Sequence, residues 1–152
     1  MKYTLIGMGG GTDATLTAQG RLALLRADAI AGAARLLEAL PEGCTPRRYA
    51  ATKPAAILEA LRGAARPCAV YSGDTGFFSG ARSLVPLLEA EGAEAELLPG
   101  LSSIQLFAAR LRRPWQDWAL VSAHGVACDP VAAVCAGRPA FFLTGGAGGV
   151  AS

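Results

Sequence analysis

The sequence predicts an α/β fold, a mostly parallel sheet with helices on both faces. Short apolar runs alternate along the chain with segments whose apolar residues recur at helical spacing. Alternation of that kind favours parallel strands joined by crossover helices. Leu, Ile, Val and Phe account for 36 of the 152 residues, enough to fill a packed core and to exclude wholesale disorder. Ala and Gly make up about a third of the chain, so the core should be closely approached and thin in aromatics.

The elements follow in order. Residues 3–7 form an apolar run ending in glycines, a first strand. Thr12 and Asp13 offer N-caps to a helix carrying Leu16, Ala23, Leu24 and Ala27 on one side. Residues 28–32 read as a second strand and 33–40 as a helix stopped by Pro41. Residues 42–52 are turn-rich. Pro54 suits the first turn of a helix reaching about residue 64. Residues 67–72 read as a strand, 79–91 as a helix interrupted by Pro86, and 94–98 as a strand closed by Pro99 and Gly100. Ser102 is placed to cap a helix running to Leu111. Residues 118–122 read as a strand, 130–136 as a short helix and 139–143 as a final strand.

Composition narrows the function. A net charge of +2 and a pI near 8.5 are too mild for a dedicated nucleic-acid binder. The basic clusters, Arg47 with Arg48 and Arg110 with Arg112 and Arg113, are short. They are either solvated surface or contacts for an anionic small molecule. Four cysteines, at 44, 68, 128 and 135, include no Cys-x-x-Cys pair, and the only histidine is His124. Neither a structural zinc nor a disulfide framework is expected, and Cys68 reads as a small core residue. The N-terminus lacks the features of a signal peptide, and no run reaches eighteen apolar residues. A cytoplasmic protein without a membrane segment is expected.

In parallel α/β sheets, ligands bind outside the carboxyl ends of the strands. Three loops fall there, residues 7–12, 73–76 and 99–103, and each pairs glycine with a small polar residue. Glycine lets a ligand approach the backbone and supplies positive φ. The first loop also fits a dinucleotide fingerprint, G-x-G-x-x-A, over Gly9-Gly10-Gly11-Thr12-Asp13-Ala14. That reading, an NAD(P)-binding oxidoreductase, wants an acid at the end of the second strand. Asp28 has the spacing but precedes Ala29, which puts it at the strand's start. No Gly-Lys-Ser/Thr follows, so a P-loop is excluded. A plain glycine turn is the remaining alternative.

The same loops resemble, in order and spacing, those of the tetrapyrrole methylase family. Ile6-Gly7-Met8-Gly9-Gly10-Gly11 resembles its first-strand motif, hydrophobic-G-x-G-P-G-D. Here Gly10 stands where proline is usual and Thr12 where the acid is usual, with Asp13 next to it. Leu25-Arg26-Ala27-Asp28-Ala29-Ile30 resembles the L-x-x-A-D-x-I continuation, and the stretch from Tyr71 through Gly73-Asp74-Thr75-Gly76 to Ser79 resembles the G-D-P/T loop. Pro99-Gly100-Leu101-Ser102-Ser103-Ile104-Gln105, then Pro114-Trp115-Gln116-Asp117, then Ser122-Ala123-His124-Gly125, are similar to one branch of the family. That branch is the precorrin-6Y C5,15-methyltransferases and their cobalt-precorrin-7 C5-methyltransferase counterparts. The resemblance covers residues 1–146.

The resemblance implies a two-domain α/β enzyme that methylates a precorrin in cobalamin biosynthesis. It implies S-adenosylmethionine in the cleft between domains, a homodimer, and a decarboxylating methyltransferase partner, fused or separate. On this pattern residues 1–137 are the N-terminal domain, and 138–152 begin a second domain that is largely absent. A non-catalytic methylase fragment is the alternative. The cofactor contacts carried over are Gly10, Asp74, Phe77, Ser102 and Ser103, with Thr144 or its neighbour Leu143 at the end of the last strand. Each has a plainer reading: Asp74 as a turn residue bonding its own backbone, Ser102 as a helix cap, Phe77 as core. His124, in a loop after a strand, is either structural or a proton acceptor for the macrocycle. Arg82, Arg110, Arg112 and Arg113 are candidates for substrate carboxylates.

Overall fold

The computed structural model describes residues 1–123, 129–135 and 137–144. Five strands, β1 (Lys2–Gly7), β2 (Ala29–Gly32), β3 (Arg48–Ala50), β4 (Pro67–Tyr71) and β5 (Glu94–Leu98), form one sheet in the order β3-β2-β4-β1-β5. Every pair in it is parallel. Strands buried on both faces must be apolar at consecutive residues. β2 (Ala-Ile-Ala-Gly) and β4 (Pro-Cys-Ala-Val-Tyr) are buried at every position.

Side-chain alternation divides the core in two. On one face Ile6, Met8, Ile30, Cys68 and Val70 pack with Leu24 of α1 (Ala18–Arg26) and Leu36 of α2 (Ala34–Glu38). On the other, Leu5, Ala29, Ala31 and Ala69 pack with Ile57 and Leu61 of α3 (Pro54–Leu61) and with Leu84 and Leu88 of α4 (Ala81–Ala90). The three alanines explain part of the Ala excess: they leave room for two helices to lie close to the strands. The Cys68 thiol is pushed up to about 12 by burial, as suits a core residue.

The structure departs from the sequence reading in three places. The first long helix starts at Ala18, not after Thr12. Asp13–Thr15 is a 3-10 turn, and Thr12 makes no side-chain cap bond to it. The cap is Thr17, whose hydroxyl accepts the Gly20 N–H at 3.1 Å. A short edge strand, β3, lies inside the stretch expected to be turns; it carries no continuous apolar run, and its three residues are only exposed or half-buried. α4 runs unbroken through Pro86. The carbonyl deprived of its i+4 partner belongs to Arg82, an exposed residue.

The chain comprises two compact units, Met1–Ser103 and Ile104–Ser152. α5 (Ser103–Leu111) leads into the second, which also holds β6 (Ala119–Ala123), α6 (Pro130–Cys135) and β7 (Ala140–Thr144). β6 and β7 form their own two-stranded parallel sheet, in register from Ala119 with Ala140 to Ala123 with Thr144. The strand expected to close the first domain therefore pairs with the strand expected to open the second. Phe107 contacts Trp118 and Phe141, with ring centroids 6.1 and 5.9 Å apart.

Candidate functional site

β4, β1 and β5 are neighbours, so the three glycine loops leave adjacent carboxyl ends of one sheet. The first two are bonded together: Gly9 N–H donates to the Gly73 carbonyl at 3.0 Å, and Gly73 N–H returns to the Gly9 carbonyl at 2.9 Å. The third joins through Asp74, whose Oδ1 accepts the Gly100 N–H at 3.0 Å. The second Asp74 oxygen accepts the Gly76 N–H at 2.8 Å.

Close backbone approach dictates glycine here. A Cβ at Gly7 would lie 2.6 Å from both Gly100 N and the Gly73 oxygen. A Cβ at Gly100 would collide with the Gly73 oxygen and lie 2.6 Å from the Gly7 oxygen. No side chain fits either place.

Three of the first loop's backbone donors are already used. Gly9 N–H bonds Gly73, Gly10 N–H bonds the Thr15 hydroxyl at 2.9 Å, and Gly11 N–H bonds the Met8 carbonyl at 3.1 Å. A pyrophosphate cradle needs such groups free at the start of a helix. Here a 3-10 turn follows instead, opened by Asp13, which is paired with Arg21. The acid a dinucleotide would need is also misplaced. Asp28 lies at the amino end of β2, where its carboxylate accepts the Ala65 and Arg66 N–H groups, each at 2.8 Å. The Arg66 N–H foremost, then that of Ala65, holds the Asp28 carboxyl below its ordinary value, with Arg47 3.9 Å away adding to the effect. Both halves of the dinucleotide fingerprint are engaged structurally.

The interlock brings Gly10, Asp74 and Ser102 to one end of the sheet. Gly10 is exposed, Asp74 half-buried and Ser102 buried; Ser103, exposed, opens α5. Ser102 Cα lies 3.8 Å from where a Gly73 Cβ would be. Phe77 is half-buried outside both core clusters and meets Phe78 edge-on, centroids 4.8 Å apart. Thr144 is the exposed last residue of β7, in the second unit, and Leu143 precedes it half-buried. His124 lies outside the described residues. Sequence reasoning missed Thr15, whose hydroxyl takes the Gly10 N–H and donates to the Thr12 carbonyl at 3.0 Å. It also missed Tyr71, directly before the second loop. Its phenol oxygen is buried with no hydrogen-bond partner, and burial pushes its pKa up to about 12.

Among the described residues no cluster of three His, Cys, Asp or Glu side chains could hold a metal ion, and no helix is long and apolar enough to cross a membrane.

Residues 2–147 match the family model of the Tetrapyrrole (Corrin/Porphyrin) Methylases. The chain belongs to the tetrapyrrole methylase family. No curated protein matches it. Among solved structures it is similar to the methyltransferase CobJ, with 28% identity and a TM-score of 0.68 over 80% of this chain and 55% of that one. It is also similar to the cobalamin biosynthesis precorrin-6Y methylase of Archaeoglobus fulgidus, with 27% identity and a TM-score of 0.66 over 81% of this chain and 64% of that one. A cobalt precorrin-4 methyltransferase, at 22% identity and a TM-score of 0.65 over 86% of this chain and 61% of that one, shares the fold. The chain thus spans roughly three-fifths of the length of these solved chains.

Proposed function

We propose that this chain takes part in S-adenosylmethionine-dependent C-methylation of a precorrin in cobalamin biosynthesis, at C5 and with C15 as a second position. The observation that carries the reading is the interlocked set of three loops at adjacent strand ends. They present bare backbone on which the N–H groups of Gly9, Gly10 and Gly11 are already spent. Residues 7–12, 73–76 and 99–103 together hold one acid, Asp74, and no lysine or arginine. Such a surface suits a nucleoside that bears a cationic sulfonium and no phosphate. Bound there, S-adenosylmethionine would supply an electrophilic methyl group.

The residues proposed to hold it are Gly10, Asp74, Phe77, Ser102, Ser103 and Thr144. Methyl transfer to an electron-rich macrocycle carbon needs no protein nucleophile, so the chain's contribution is orientation and exclusion of water. His124 is the group proposed to accept the proton released from the methylated carbon. Arg82, Arg110, Arg112 and Arg113 suit a polycarboxylated substrate, since guanidinium pairs with carboxylate through two bonds. A homodimer, cytoplasmic location and a decarboxylating methyltransferase partner belong to the same reading, as does a second domain that begins with the last strand.

The experiment is incubation with methyl-labelled S-adenosylmethionine and a precorrin, read by mass spectrometry of the macrocycle. Gain of one methyl mass, or of two where C15 is methylated as well, is the expected result. Cofactor binding without transfer would favour the second reading, a methylase-fold protein without catalytic activity. Neither binding nor transfer would overturn both.

A further inference from the structure

We infer that Asp74 serves ligand binding through the backbone of the third loop, as a positioning residue and not as a contact. The inference rests on the proposed S-adenosylmethionine reading and replaces, within it, the direct part given to Asp74 by an indirect one. Both carboxylate oxygens already accept backbone N–H groups: Oδ1 from Gly100 at 3.0 Å and Oδ2 from Gly76 at 2.8 Å. One bond closes the second loop on itself. The other reaches across to the third loop, two residues before Ser102.

Gly100 is held from the opposite side as well, because its backbone abuts the Gly7 and Gly73 carbonyls with no room for a Cβ. Asp74 therefore closes a brace around Gly100, and Ser102 and Ser103 follow from where Gly100 is fixed. The buried Thr75 adds a long second link, its hydroxyl 3.5 Å from the Leu98 carbonyl. The two N–H donors lie on opposite sides of the carboxylate, each on its own oxygen. Asparagine offers one oxygen and turns its own N–H groups toward a donor. Alanine offers none.

Asp28 provides an internal control. It too accepts two backbone N–H groups, but at the amino end of the sheet, away from the loops. A purely structural role for both residues would give the two variants the same behaviour.

The test measures S-adenosylhomocysteine affinity by calorimetry, and backbone amide exchange by NMR, in the native chain, Asp74→Asn, Asp28→Asn, Ser102→Ala and Asp74→Asn/Ser102→Ala. Charge-assisted bonds of this kind imply a loss of about 10- to 100-fold in affinity for Asp74→Asn. Asp28→Asn is expected to lower stability and leave affinity unchanged. The Gly100 amide in Asp74→Asn should exchange at least about tenfold faster without ligand. The Asp74 and Ser102 effects should fall short of multiplying, because one acts through the other. Unchanged Gly100 exchange with fully multiplying effects would mean direct contact and overturn the inference. Equal affinity losses in Asp74→Asn and Asp28→Asn would overturn it too. If Asp74→Asn does not fold, the ligand-free native chain decides: protected Gly76 and Gly100 amides support the brace, and exchange at solvent rates contradicts it. A native chain that binds no S-adenosylhomocysteine defeats the cofactor reading, while the exchange arm still reports on the brace.

Discussion

Two carboxylates of similar design sit at opposite ends of the first sheet, and their placement separates support from binding. Asp28 fastens the amino ends of β2 and β4, its own N–H donating to the Arg66 carbonyl while its side chain takes the Ala65 and Arg66 N–H groups. Its folded-state pKa is depressed, so its contribution is complete above the ordinary carboxylate value and is lost as pH falls through the depressed one. Asp28→Asn should lower unfolding free energy by about 1–2 kcal/mol at neutral pH. The gap to the native chain should close in acid below the depressed value; urea unfolding at several pH values checks this. Tyr71 gives the opposite case. Its buried hydroxyl has no partner, so Tyr71→Phe should leave stability unchanged or raise it by up to about 1 kcal/mol. A clear loss on thermal unfolding would reveal an unseen partner. The sequence alone showed that Asp28 lies at a strand's start, from the apolar residues after it. What binds it was hidden, because Ala65 and Arg66 are remote in the chain.

At the scale of elements, strands were legible where burial is two-sided. β1, β2 and β4 stand out as apolar runs, and the edge strand β5, which carries Glu94 and Glu96, as a segment closed by Pro99 and Gly100; their bounds shift by only a residue or so. β3 was not legible, since three half-exposed edge residues leave no pattern and the bonds that hold it come from β2. The start of α1 was misplaced because three threonines, Thr12, Thr15 and Thr17, compete for the role of cap. Thr15 turns the chain back on the first loop, and only Thr17 caps. Thr17→Ala should therefore cost about 1 kcal/mol of stability, and Thr12→Ala clearly less. Denaturant titration of the two variants side by side checks the assignment. Equal losses would place the cap wrongly. The three loops were legible as glycine paired with small polar residues at strand ends. Their interlock was not, because it depends on β4, β1 and β5 being neighbours, which the chain order does not reveal.

For the whole molecule, family membership rests on a match over residues 2–147. The physics of the site runs the same way: spent N–H groups and a misplaced acid exclude the dinucleotide that the glycine fingerprint suggested. Backbone crowding around Gly7, Gly73 and Gly100 makes the loops one unit. Gly100→Ala should accordingly cost about 2 kcal/mol or more of stability and remove ligand binding together with it. Loss of only one of the two, by thermal shift with and without ligand, would show the loops to be independent. The central claim is that these interlocked loops hold a phosphate-free adenosyl ligand, and calorimetric titration of the chain with S-adenosylhomocysteine, run beside NAD under the same conditions, tests it most directly. The expected result is saturable one-to-one binding of S-adenosylhomocysteine with no heat from NAD. Binding of NAD, or neither heat nor thermal protection at millimolar S-adenosylhomocysteine, would contradict it.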